Sequence, residues 1–180
     1  MLKSDKVIVV DLEATCWEDQ VPDGSFMEII EIGICNFVVD TGEITDKQSI
    51  YVIPEKSNIT PYCTALTGIT KELITEKGIS LKKASEKIIE EYSPYGRVWG
   101  SYGEFDRSLL QKQCFNQNIE YPFGLTHINI KSLFALKMKL KNGKGMEKAL
   151  KIIKEPLEGK HHSGADDAYN TAKLLRHILK

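Results

Sequence analysis

The feature that most restricts how this chain can fold is the run VIVVDL at residues 7–12, which continues into EATCWE. Val7, Ile8, Val9 and Val10 follow one another without a polar residue between them, so a strand built from them is buried on both faces. Such a strand belongs inside a sheet that other layers cover. It runs straight into Asp11 and Glu13, which as residues two apart on a strand point the same way, roughly 6 to 7 Å from each other. Left unneutralised at that spacing, the two charges repel by about 3 kcal/mol at an effective dielectric of ~20. The fold has to supply something that holds both charges in place.

A second apolar run occupies residues 29–39 and a third residues 49–53, with Asp40-Thr41-Gly42 as turn chemistry between them, so the first three strands are expected as an antiparallel meander. Thr60-Pro61 opens a short helical stretch. Ser80 reads as the N-cap of a helix over residues 81–92, where Leu81, Ala84, Ile88 and Ile89 make an apolar stripe and the lysines a solvated face. RVWGS at residues 97–101 reads as a strand leading through Tyr102-Gly103 into a helix with Phe105, Leu109, Leu110 and Cys114. A brief fifth strand is expected at residues 127–130, then helices over residues 131–140, 146–154 and 163–179. With 180 residues, of which 42% are hydrophobic, the expectation is one domain, residues 1–180: an α/β fold whose five-stranded mixed sheet is flanked by helices.

Further acids are placed to join the first two. Asp106 stands in the first turn of its helix, three and four residues before Leu109 and Leu110, hence beside the buried face. In the last helix, stepping by four, three and four residues from Asp166 gives Asn170, Lys173 and His177, a polar row expected to face water. The same steps from Asp167 give Thr171, Leu174 and Ile178, which turn toward the core, so Asp167 is the inward acid. His162, five residues ahead of Asp167, is placed to swing over the same site, whereas His161 is expected to pair with Asp166.

Four acids and a histidine from three segments suit hard divalent cations such as Mg²⁺ or Mn²⁺, which take oxygen ligands; two of them about 4 Å apart would neutralise the carboxylates while clamping a phosphate. That chemistry serves in-line displacement at phosphorus. A histidine, with an ordinary pKa near ~6.5, suits the removal of a proton from the attacking water.

Asp11-Leu12-Glu13, Asp106 and His162-x4-Asp167 together resemble the three-motif signature of the DEDDh 3′→5′ exonucleases, a branch of the ribonuclease H-like fold. VIVVDLEATCWE, MEIIEIG, YVIPE, LTGIT and HINIKSL fall in the order seen in the exoribonuclease group that trims histone messenger RNA and degrades small interfering RNA, and in bacterial sporulation-inhibitor-type relatives. The resemblance implies that Asp11, Glu13 and Asp167 ligate one ion, that Asp11 bridges to a second with help from Asp106, and that His162 is the general base. It further implies that the backbone of Leu12, Ala14 and Thr15 lies along the terminal nucleotide and that Leu66 wedges against a base. The eukaryotic relatives carry an additional nucleic-acid-binding domain for which this chain has no room, so stem-loop specificity is not implied.

Trp17 is a candidate stacking platform, and Lys137, Lys139, Lys141, Lys144 and Lys148 form a basic stretch around the loop at residues 142–145. The net charge of −1 excludes a global basic field, so any phosphate partner is held locally. Cys16, Cys35, Cys63 and Cys114 show neither CxxC nor zinc-like spacing and read as reduced thiols of a cytoplasmic protein. No apolar run approaches the ~20 residues a membrane span requires. The expected activity is thus metal-dependent 3′→5′ hydrolysis of single-stranded RNA or DNA to 5′-nucleoside monophosphates. The rivals are a proofreading-type DNA exonuclease and a catalytically silent nucleic-acid-binding protein.

Overall fold

A computed structural model describes residues 3–180. The chain runs β1 (Lys3–Ala14), β2 (Ile29–Val38), β3 (Ile44–Tyr51), α1 (Pro61–Thr67), α2 (Lys71–Lys77), α3 (Leu81–Tyr92) and β4 (Arg97–Ser101). It continues through α4 (Phe105–Asn116), β5 (His127–Asn129), α5 (Ile130–Lys137), α6 (Met146–Ile152) and α7 (Gly164–Leu179). The five strands form one mixed sheet in the order β3-β2-β1-β4-β5. β1, β2 and β3 are the antiparallel meander, and β4 and β5 extend the sheet parallel to β1.

β1 therefore sits in the middle, and its side chains divide between two layers by the strand's period of two. Ile8, Val10 and Leu12 pack into one core with Leu81, Ala84 and Ile88 of α3 and Leu110 and Cys114 of α4. Val7 and Val9 pack into the other, with Phe134 of α5, Ala149 of α6 and Leu174 of α7. Full burial of an aliphatic side chain of this kind contributes about 1.5–3 kcal/mol. The strand carrying Asp11 and Glu13 is consequently anchored from both sides. A third cluster seats α1 and α2 on β2 through Cys63, Ile74 and Ile30.

Thr60 and Ser80 cap their helices by accepting the backbone N–H groups of Cys63 and Lys83. The differences from expectation lie at the edges. The third strand spans Ile44–Tyr51 rather than residues 49–53, because an edge strand with polar Thr45, Asp46 and Lys47 lacks the apolar signature that the sequence reading relied on. α2 is a separate helix, started by Thr70, whose hydroxyl accepts the N–H of Leu73. α5 stops at Lys137, before Lys139 takes a left-handed φ of 53°, and α6 stops at Ile152, before Lys154 does the same at 58°. Among the described residues no helix is long and apolar enough to cross a membrane.

Candidate active site

Three parallel strands end along one edge of the sheet, and the acids gather there. Asp11 and Glu13 leave β1 on the face covered by α7, the odd-numbered face that Val7 and Val9 also occupy. Asp167 meets them from the first turn of α7. Oxygen atoms of Asp11, Glu13 and Asp167 all lie within 4.8 Å of one another. Asp106, buried at the start of α4, reaches under the strand, and its Oδ1 accepts the N–H of Leu12 at 3.0 Å.

The electrostatics are those of a buried carboxylate cluster whose mutual repulsion outweighs the nearby basic groups, Lys160 and His161. Loss of water pushes Asp11 well above the carboxylate range, and the neighbouring charges of Asp106, Asp167, Glu13 and Glu31 push further in the same direction. Glu13 rises to about 8, first through burial and then through Asp167 and Glu31. Asp106 rises to about 6 through burial, opposed by the Leu12 N–H. Burial raises Asp167 too, opposed by the adjacent His161 ring and the His162 N–H, which favour its ionised form.

α7 reaches this position through a contact that sequence spacing does not disclose. Its N-cap, Ser163, makes no side-chain capping bond. Instead the buried Glu31 of β2 accepts the N–H groups of Gly164 at 3.0 Å and Ala165 at 3.3 Å, satisfying donors that the helix leaves free. Gly33, two residues on, permits the approach: a Cβ there would lie 1.8 Å from the backbone carbon of Gly164. An acid and a glycine in the middle of an apolar strand, MEIIEIG, were the available signal.

The loop before α7 corrects two expectations. His161 does not pair with Asp166; its Nδ1 lies 3.0 and 3.2 Å from the two oxygens of Asp167. Asp166 accepts the N–H of Lys160, ion-pairs with Lys47 and fills the space beside Gly159, where a Cβ would meet its carboxyl carbon at 2.2 Å. The row below Asp166 does not face water either. Asn170 and Lys173 are buried beneath residues 155–158: Asn170 bonds both the N–H and the carbonyl of Glu158, and the Lys173 ammonium donates to Pro156 and Glu158. Helical spacing gives a row's direction, but a covering segment can bury a polar row when it brings its own partners.

His162, half-buried just ahead of α7, takes a left-handed conformation with φ 63°. Its N–H donates to Asp167 at 3.0 Å and its ring stacks on His161 with centroids 4.1 Å apart. Partial burial, reinforced by the neighbouring His161, lowers the His162 pKa, leaving the ring neutral at pH 7. His161, His162 and Asp167 also bring their ligand atoms within 4.8 Å of one another.

The remaining candidates lie on and just after β1 and on α1. Leu12 points into the core, and Thr15 is fully buried, its hydroxyl accepting the Glu28 N–H and its own N–H donating to the Glu28 carbonyl. With both side chains buried, backbone is what these two residues can present. Ala14 and Trp17 are half-buried. Leu66 is half-buried on α1, which is tied to the segment after β1 because the Thr60 hydroxyl donates to the Cys16 carbonyl at 2.8 Å. Phe105, grouped in the sequence with Leu110 and Cys114 of the same helix, does not share their burial: it stands 53% exposed directly before Asp106.

The donor set is all oxygen on the acid side and fits a hard divalent ion: at neutral pH a cation offsets the burial and the mutual repulsion that raise Asp11 and Glu13. Comparison with known proteins places the fold. A family model described as exonuclease matches residues 8–175. The chain is 30% identical to 3′-5′ exoribonuclease 1 of Rattus norvegicus over 98% of this chain and 53% of that protein. It is also 30% identical to ERI1 exoribonuclease 2 of Mus musculus over 97% of this chain, but spans only 28% of that protein. Among solved structures, the nuclease domain of 3′hExo, described as a DEDDh family member bound to rAMP, superimposes with a TM-score of 0.88 at 27% identity, covering 97% of this chain and 92% of that one. The sheet order, the two helix layers and the match across nearly all of the sequence place the chain, with its ribonuclease H-like fold, in the exonuclease family.

Proposed function

We propose that this chain is a metal-dependent 3′→5′ exonuclease that hydrolyses single-stranded RNA or DNA from the 3′ end and releases 5′-nucleoside monophosphates. The observation that carries the reading is the convergence of Asp11, Glu13 and Asp167, with Asp106 beneath them, at the ends of parallel strands. Asp11, Glu13 and Asp167 would hold one divalent ion, and Asp11 with Asp106 a second. Mg²⁺ or Mn²⁺ bound there supplies Lewis acidity to a phosphoryl oxygen and lowers the pKa of water. His162, neutral and at the rim, accepts the proton of the attacking water on a ring nitrogen. The backbone of Leu12, Ala14 and Thr15 and the side chains of Leu66 and Trp17 receive the terminal nucleotide.

RNA is the favoured substrate, supported by the exoribonuclease relatives and by the neighbour crystallised with rAMP. Four cysteines, all free thiols, accord with a cytoplasmic setting.

The test is incubation of 5′-labelled RNA and DNA strands with Mg²⁺ or Mn²⁺. Stepwise 3′ shortening with release of nucleoside 5′-monophosphates is expected, and Asp11→Asn abolishes it. Preference for mismatched DNA primers over RNA would turn the reading to a proofreading role. Strand binding without shortening in either metal would refute catalysis.

A further inference from the structure

The acid cluster repels the polyanion it is proposed to cut, so attraction for the strand has to come from elsewhere on the molecule. One stretch provides it. Between Lys131 and Lys154 there are eight lysines and a single acid, Glu147, a local charge of +7 in a chain whose net charge is −1. Only Lys151 of the eight is engaged, by Glu147 at 2.7 Å; among the described residues the other seven have no ion-pair partner. Unpaired lysines at this density repel one another, and a bound polyanion relieves that repulsion.

The stretch is also shaped. A groove of about 570 Å³ runs from Gly103 and Glu104, immediately before α4, to the loop at residues 141–143 between α5 and α6. Lys131 and Lys141 line it, and Leu136, 75% exposed, offers an apolar surface on which a sugar or base can rest. The loop is held against the site end of the fold, because the Tyr102 hydroxyl donates to the Lys144 carbonyl at 2.7 Å. Gly143 lies directly on the Lys131 stem, where a Cβ would come within 2.9 Å of it. The one acid in the lining, Glu104, accepts the Asn129 side-chain amide at 3.0 Å and has Arg107 at 3.9 Å.

Sheet order sets the distance to the acids. Asn129, in the groove wall, pairs in register with Ser101 of β4, and β4 lies next to β1. Two strand spacings amount to about 10 Å. A strand whose 3′ end lies between Asp11 and Asp167 has only to cross β4 to enter the groove.

We infer that this lysine-lined groove between α4, α5 and the α5–α6 loop holds the phosphodiester backbone of the substrate on the 5′ side of the scissile bond. The inference rests on the exonuclease reading and adds to it a path for the strand. Lys131, Lys141 and Lys144 each contact a phosphate and release a counterion on binding.

The test uses a 5′-fluorescein single strand of about 12 nucleotides, a length within the range one such binding surface tracks. Binding is followed by anisotropy in Ca²⁺ and trimming in Mn²⁺. The comparison is between the wild type, the triple variant Lys131→Gln, Lys141→Gln, Lys144→Gln, and a control triple variant at exposed sites outside the groove, Lys71→Gln, Lys82→Gln, Lys83→Gln. Each phosphate contact on a single strand contributes about −0.7 to the slope of log affinity against log salt, so three contacts contribute about −2.1. Between about 50 and 200 mM salt the wild type should lose roughly twentyfold more affinity than the groove variant, and the same as the control variant. Parallel slopes for wild type and groove variant, with the wild type trimming the strand, overturn the groove and leave the exonuclease reading intact; the basic patch would then belong to an acidic protein partner. An equal loss of slope in the control variant also overturns it. Absence of trimming by the wild type in Mn²⁺ sinks the exonuclease reading itself.

Discussion

Glu13→Gln should stabilise the metal-free protein at alkaline pH and leave it unchanged below about pH 4.5. In the folded chain Glu13 titrates at about 8, against 4.5 for an ordinary glutamate. Below pH 4.5 the group is protonated whether the chain is folded or not, and it costs nothing. Between 4.5 and 8 the folded state keeps a proton that the unfolded state has released, so stability falls as pH rises, by up to about 1.4 kcal/mol per unit. Above 8 the loss is complete, with a ceiling of about 5 kcal/mol. An independent figure comes from geometry: one like charge at 4.8 Å costs about 3.5 kcal/mol at an effective dielectric of ~20. The amide variant should therefore gain about 3–5 kcal/mol at alkaline pH, roughly 10 °C in thermal midpoint for a chain of this size. The assay is a pair of melting curves in EDTA, repeated from acid to alkaline pH. Millimolar Mg²⁺ should cancel the advantage, because the wild type gains the ion and the variant loses a ligand for it. An advantage of equal size at every pH would show that the carboxylate is not under electrostatic strain and would refute the reasoning.

Gly33→Ala should cost about 3 kcal/mol or more, because its new methyl has only the backbone of Gly164 and Ala165 to enter. Urea midpoints test the stability, and a disproportionate loss of activity in the folded fraction would report displacement of Asp167. His162→Ala should lower kcat about 10²- to 10³-fold, measured in single turnovers so that product release does not mask the chemistry; near-normal turnover would reject His162 as the base. His161→Ala should instead lower the Mn²⁺ concentration for half-maximal activity by about fivefold, since it removes a hydrogen bond of about 1 kcal/mol that competes for the Asp167 oxygens.

Those four positions also mark how far the sequence could be read. The acids were legible because strand and helix periods are short-range properties: two residues apart on β1 fixes Asp11 and Glu13 on one face, and the apolar row under Asp167 fixes its direction. Asp106 was legible for the same reason, three and four residues ahead of the core leucines. Glu31, Gly33 and His161 were not, because each acts across the chain. Glu31 meets Gly164 at a separation of 133 residues, and its role as a cap is invisible until α7 is laid on β2. Residues 155–158 have no period that announces a cover, yet they turn Asn170 and Lys173 into buried anchors. The edge strand β3 was misplaced on similar grounds, its polar residues being satisfied by the sheet ladder rather than by an apolar face.

The contacts that escaped the sequence share a purpose that follows from the repulsion among those that did not. A cluster of four carboxylates cannot assemble by mutual attraction, so the elements carrying them must be fastened from outside. β1 is held by two hydrophobic layers, α4 by the Leu12 N–H on Asp106, and α7 by Glu31 at its first turn and by the segment at residues 155–158 along its side. Glu31 does this at an electrostatic cost, for its charge raises Asp11 and Glu13 as well. A neutral cap such as serine on β2 would satisfy fewer of the α7 donors, yet would leave the cluster less strained. The carboxylate adds negative potential at the position of the proposed divalent ion, so one residue both fixes Asp167 and would strengthen the attraction for that cation. Glu31→Gln separates the two effects: it keeps an oxygen for one α7 donor but removes the charge, so the demand for Mn²⁺ should rise even in protein that remains folded.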